Sequence, residues 1–116
     1  MNNSIDELES DYRKYAEAFG KAAERSDSKA TNRNFDKLAV VRLKLRACGE
    51  TGKAVLRRLM KDRSNAIAKC AAVDSLPFAE AEALEVLDAI GKKAGPIALD
   101  AEMTAELWRA GELKNR

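Results

Sequence analysis

Histidine is absent from this 116-residue chain, which removes the side chain most often used for proton transfer near neutral pH. Ser–His and Cys–His nucleophile pairs and every His-containing metal site go with it. Cysteine is scarce: Cys48 and Cys70 are too few for a disulfide framework and lack the CxxC spacing of a redox or zinc site. Both fall at apolar positions of expected helices and read as buried free thiols. Val, Ile and Thr together number only 12, against 21 Ala and 12 Leu, a balance that favours helix over strand. Aromatic residues are 5% of the chain, so the core has to come from Leu, Ile, Val and Met with close Ala contacts. No apolar run approaches the ~20 residues that cross a bilayer, so no membrane partner is expected. The stretch Met1–Glu7 has neither the basic nor the apolar region of a secretory signal, and the cytoplasm is the expected compartment.

What is present is 46% hydrophobic and 34% charged, a composition that reads as one soluble, all-α domain. Ser4-Ile5-Asp6-Glu7 has the form of a capping box. It opens a helix over residues 4–25 with Ile5, Leu8, Tyr12, Tyr15 and Phe19 at three- and four-residue spacing. Gly20 in this helix offers room for a close neighbour. Residues 28–109 then read as a helical-hairpin array. Its second helix carries Phe35, Leu38, Val41, Leu45 and Cys48 on one side and stops at Gly49. Thr51 is placed to cap a third helix with Val55, Leu56, Leu59 and Met60, and Ser64 or Asn65 a fourth with Ile67, Cys70 and Val73. Pro77 ends the fourth and leads into a fifth with Leu84, Leu87 and Ile90. Gly95-Pro96 starts a sixth with Ile97, Leu99, Met103, Leu107 and Trp108, and residues 111–116 form a polar tail. The expectation is five or six antiparallel helices joined by short links.

Net charge is +2, but the charges are segregated. Residues 29–69 hold 12 basic and 3 acidic groups, whereas residues 74–112 hold 3 basic and 9 acidic. Lys53, Arg57 and Lys61 recur every four residues on the third helix, with Arg58 and Arg63 beside them. On the second helix Arg42 and Arg46 are four apart, and Lys37 and Lys44 seven apart. These nine cations are either a candidate binding surface for phosphates or an acidic protein, or solvated faces whose long stems cover apolar surface and which pair in part with the acidic fifth and sixth helices. The same stretch has only Phe35 as an aromatic, expected in the core, so it lacks the stacking platform of single-strand binders. Carboxylates cluster at Glu80, Glu82, Glu85 and Asp88 and at Asp100, Glu102 and Glu106. Without His they do not make a di-metal motif, so no metal is expected. Gly49-Glu50-Thr51-Gly52-Lys53 lacks the spacing of a phosphate loop and is a turn between helices. No catalytic residues and no cofactor are expected.

Residues 55–76 combine Val55-Leu56, Leu59-Met60, Asp62, Ile67 and Cys70-Ala71-Ala72 with Leu76, and this pattern resembles a HEAT-type repeat. Such repeats usually have Arg directly after the apolar residue that opens the second helix. Here that position is Ala68, with Lys69 one step later. A looser copy follows over residues 79–109, with Ala71 and Met103 32 residues apart. The closing segment Leu99–Trp108 with Gly111, taken with residues 35–76, resembles a small bacterial family known only as a domain of unknown function. The resemblance covers roughly residues 30–113. It implies a short HEAT- or armadillo-like right-handed array with no activity or catalytic residues to carry over. The expected function is a non-enzymatic protein-interaction module, of adaptor or immunity type, whose partner is another protein or a second copy. The alternative is nucleic-acid binding through residues 37–69.

Overall fold

A computed structural model describes residues 4–113, so the end of the expected polar tail, residues 114–116, lies outside the described residues. Six helices are present: α1 Ile5–Glu24, α2 Ser28–Ala47, α3 Glu50–Leu59, α4 Asn65–Ser75, α5 Glu80–Gly91 and α6 Pro96–Arg109. No strand occurs among the described residues. Local chemistry sets most of the boundaries. The Ser4 hydroxyl accepts from the Glu7 N–H at 3.1 Å while Glu7 accepts from the Ser4 N–H at 3.4 Å, closing the capping box. Asp27 caps α2 by accepting from the Ala30 N–H at 3.0 Å, and Ser64 caps α4 through the Ile67 N–H at 3.3 Å. Gly49, at φ +63°, turns the chain between α2 and α3. That turn starts α3 at Glu50, so Thr51 lies inside the helix instead of capping it. Pro96 occupies the first turn of α6, where its missing N–H costs nothing.

The core runs through all six helices. α4 is its axis: residues 67–75 are buried without exception, including Lys69, Asp74 and Ser75. Ala71 and Ala72, both at 0% exposure, let neighbouring helices approach α4 closely, and it contacts α1, α3, α5 and α6. α1, expected as a terminal cap, packs against α2, α4 and α6 and brings fully buried Tyr12 into the core. The first residues of α4 and α6 line one cavity, so these helices start at the same end of the molecule. Phe35 shares a groove with Lys69, and Arg42 reaches Asp74, so α2 runs in the same direction.

Three expectations about the core are corrected. Phe35 is 46% exposed, because α2 is covered by α1 and α3 along its Leu38–Val41–Leu45 line and Phe35 stands at the edge of that line. Cys48 is exposed, since it caps the end of α2 where the chain turns away; Cys70 is buried as expected. On α6 the buried face is Ile97, Ala98, Ala101, Thr104 and Ala105, while Leu99, Met103 and Leu107 face outward. Small residues win that interface because they allow α6 to lie close to its neighbours. The same closeness places the Glu102 Cβ 3.3 Å from where a Gly91 side chain would begin.

Two glycines are required by contact. A Cβ on Gly20 would lie 2.5 Å from the Ala66 Cβ, and one on Gly52 would lie 1.7 Å from the Leu45 carbonyl oxygen. The second clash is with backbone and has no cheap relief. Gly52→Ala is therefore expected to destabilise the fold by about 3 kcal/mol, a loss of roughly 10 °C in melting temperature. Gly91→Ala, whose nearest neighbour is a side chain, serves as the mild control. Equal, small shifts for both in thermal melts would contradict the close α2–α3 contact.

Candidate functional site

The nine cations singled out from the sequence do not gather on one open face. Arg42 turns inward and pairs with Asp74 at 3.4 Å, beneath the α2 surface. Arg58 donates to Glu9 of α1 at 2.6 Å, and Arg57 pairs with Glu82 of α5. Lys53 pairs with Glu50 at 3.3 Å and lies over the Phe78 ring. Lys37 sits 5.6 Å from the centre of the Tyr15 ring. Lys44, Arg46, Lys61 and Arg63 are exposed, with Lys61 near Glu82 and Arg63 near Asp62. The Arg57 hydrogen bond holds the Glu82 carboxyl below its usual pKa. Glu9 in turn raises that of Arg58. α3 thus presents Lys53 and Arg57 on the side of α5 and Arg58 on the side of α1, with Lys61 in the turn that follows the helix.

A second constellation escapes the sequence reading. Asp74 and Lys69 lie in a helix whose other residues, apart from Asn65 and Ser75 at its ends, are Ala, Ile, Val and Cys, and both are 4% exposed. The Tyr12 hydroxyl donates to Asp74 at 2.6 Å, on the carboxylate that Arg42 also reaches. Lys69 donates to Asp100 of α6 and lies 4.7 Å from the centre of the Phe19 ring. Phe19 meets Phe35 at 6.1 Å between ring centres. Apart from fully buried Tyr12, these residues together with Leu38, Ala39, Cys70 and Val73 line a groove of about 150 Å³ between α2, α4 and α6. The buried Nε of Arg42 has no partner. The signal for this site is two charged residues, five apart, inside a helix rich in Ala.

Burial pushes the Tyr12 phenol well above its ordinary pKa, and Asp74 adds to the effect. It also pushes the Cys70 thiol up to about 11. Burial alone would lower Lys69, but its pKa is raised, with the carboxylates of Asp100 and Asp74 favouring its charged form. Tyr12, Cys70 and Lys69 therefore all hold their protons at neutral pH. None is poised as base or nucleophile, and no group of three potential metal ligands occurs among the described residues. The groove is built to hold charges in place.

Its rims have a different character. The exposed large apolar residues of the structure are Phe35, Val40 and Leu43 on α2 and Leu99, Met103 and Leu107 on α6. They occupy the two helices that border the groove. Trp108 takes the other side of α6, donating from its indole to Glu80 at 2.6 Å, and packs against the core.

No protein-family model matches the chain, and no curated protein matches it. The fold is similar to that in the crystal structure of the protein RPA1889 from Rhodopseudomonas palustris CGA009. That similarity has a TM-score of 0.87 at 25% sequence identity, over 97% of this chain and 94% of the other. No helix among the described residues is long and apolar enough to cross a membrane.

The thiols give a direct check on the groove. In the native protein one thiol, Cys48, is expected to react rapidly with a disulfide reagent at neutral pH. Cys70 should react only when the fold opens, giving two thiols after denaturation. Rapid reaction of both in the native state would mean that the α4 wall of the groove is not closed.

Proposed function

We propose that this chain is a non-enzymatic protein-interaction module, of adaptor or immunity type, on a short HEAT-like helical array. The observation that carries the reading is that, among the described residues, the exposed large apolar side chains all lie on α2 and α6, the helices on either side of one groove. Large apolar side chains grouped on the surface of a highly charged protein favour a contact site, and aromatic and Met side chains are the types enriched at the centres of interfaces. The array reading is supported by the parallel course of α2, α4 and α6, each the second helix of a hairpin. The groove chemistry fits a binding role, since its titratable groups are paired with one another. Cys48 and Cys70 are free thiols, which suits work in a reducing compartment such as the cytoplasm.

Nucleic-acid binding through residues 37–69 is the weaker reading. Arg42, Lys53, Arg57 and Arg58 already have carboxylate partners within the chain, so each phosphate contact would first have to break an internal pair.

Two measurements decide between these readings. A benzophenone side chain placed at Met103 is expected to cross-link to protein when irradiated in native host cells, and one placed at Arg57 to do so far less. An anisotropy titration with single- and double-stranded nucleic acid is expected to show no binding at low salt. Tight binding that weakens steeply with salt, is abolished by R57E/R58E/K61E, and is accompanied by no cross-link at Met103 would overturn the proposal in favour of nucleic acid.

A further inference from the structure

The two apolar rims carry opposite charge. α2 holds six basic residues and one acidic, while α6 holds three acidic residues and one basic. That single base, Arg109, is already engaged by Asp88 at 2.6 and 2.9 Å. The placement of the charges around each helix matters more than their number. Successive residues of a helix are about 100° apart, which puts Phe35 and Arg42 on the groove side of α2 and Arg33 and Lys37 on the flank turned away from it. On α6, Asp100 faces the groove and pairs with Lys69. Glu102 and Glu106 lie on the far flank, exposed and in no ion pair among the described residues. Each rim thus carries an apolar line with charge along its outer edge, Arg33 and Lys37 on α2 and Glu102 and Glu106 on α6, and exposed Asp36 is the one acidic residue on the outward face of α2.

Such a face is complementary to itself. A two-fold axis running along the groove would lay α2 of one copy on α6 of the next, and α6 on α2, with both helices keeping their direction. The same operation brings outer edge over outer edge, so that Arg33 and Lys37 meet Glu102 and Glu106 twice in the assembly. It also sets the apolar lines in register. Phe35 and Asp100 both stand beside Lys69, which brings Phe35 level with Leu99. Continuing along the two parallel helices, Leu43 falls level with Leu107.

We propose that a second copy of this chain occupies the α2/α6 face, forming an isologous two-fold dimer in which the basic, apolar α2 docks on the acidic, apolar α6. The proposal rests on the reading of this face as a protein-contact surface and specifies its occupant. The apolar lines supply the attraction, and the flanking charges select this pairing over α2 on α2 or α6 on α6, each of which would set like charges together. Self-complementarity of one patch is what closed two-fold assembly requires.

Light scattering on a size-exclusion column, with sedimentation equilibrium for affinity, is the test. The wild-type chain is expected to rise from 12.7 kDa to twice that mass with concentration, and to dissociate more readily at high salt. M103E, R33E/K37E and E102K/E106K should each raise the dissociation constant at least roughly tenfold, with unchanged circular dichroism and melting. Mixing R33E/K37E with E102K/E106K should restore a dimer, because every contact in the mixed pair again joins opposite charges. A wild-type monomer at all concentrations would overturn the proposal, as would a dimer indifferent to these changes or a mixture that fails to restore association. A monomer whose Met103 probe still cross-links to a different protein would remove the second copy and leave the contact-surface reading standing. A monomer with no cross-link would remove both.

Discussion

The burial of α4 is the constraint from which the rest of the architecture follows. A helix covered on all sides has to match the charges it carries, and this one carries Lys69 and Asp74 at 4% exposure. Leaving either charge unmatched would cost several kcal/mol, a large part of the 5–15 kcal/mol or so by which a domain of this size is stable. Each is therefore matched by a different set of neighbours. Asp74 draws the Tyr12 hydroxyl from α1 and the Arg42 guanidinium from α2. Lys69 draws Asp100 from α6 and the ring of Phe19 from α1. Three helices are tied to the fourth by these contacts, and the groove is the space where their polar ends converge.

The same demand redistributes the charge of the chain. The basic middle of the sequence is set between acidic neighbours, Glu9 of α1 taking Arg58 and Glu82 of α5 taking Arg57, while its own Asp62 takes Arg13 of α1. For Asp62, burial works toward a higher pKa, but the Ser64 N–H and Arg13 prevail and hold it below the usual value. Exposed pairs of this kind add little stability singly, yet they draw the strongest cations into the protein's own surface. What they leave is a surface whose apolar residues are grouped on two helices of unlike charge.

Much of the helical framework was legible in the residues. The Ser4–Glu7 box, the Ser64 cap, Gly49 and Pro96 act through neighbours within a few positions, so sequence spacing is enough to read them. The faces were harder. On α6, Leu99, Met103 and Leu107 form a regular four-residue line that is more hydrophobic than Ala98, Ala101 and Ala105, but close packing favours the small residues and turns the larger ones outward. Phe35 was misplaced for a related reason, since only tertiary contact shows where the covered side of α2 ends. The groove was the least legible feature. Its key bonds join residues 62 and 32 positions apart, Tyr12 to Asp74 and Arg42 to Asp74, separations at which spacing carries no signal.

The central claim is that pairing within the fold quiets the basic stretch and leaves α2 and α6 as the working surface. Backbone amide spectra recorded over a dilution series test it most directly, because each residue reports for itself. The shifts that move with concentration should map to residues 33–43 and 99–107, with those of 53–63 on and beyond α3 unchanged. Concentration-dependent shifts confined to residues 53–63, with α2 and α6 silent, would contradict the account.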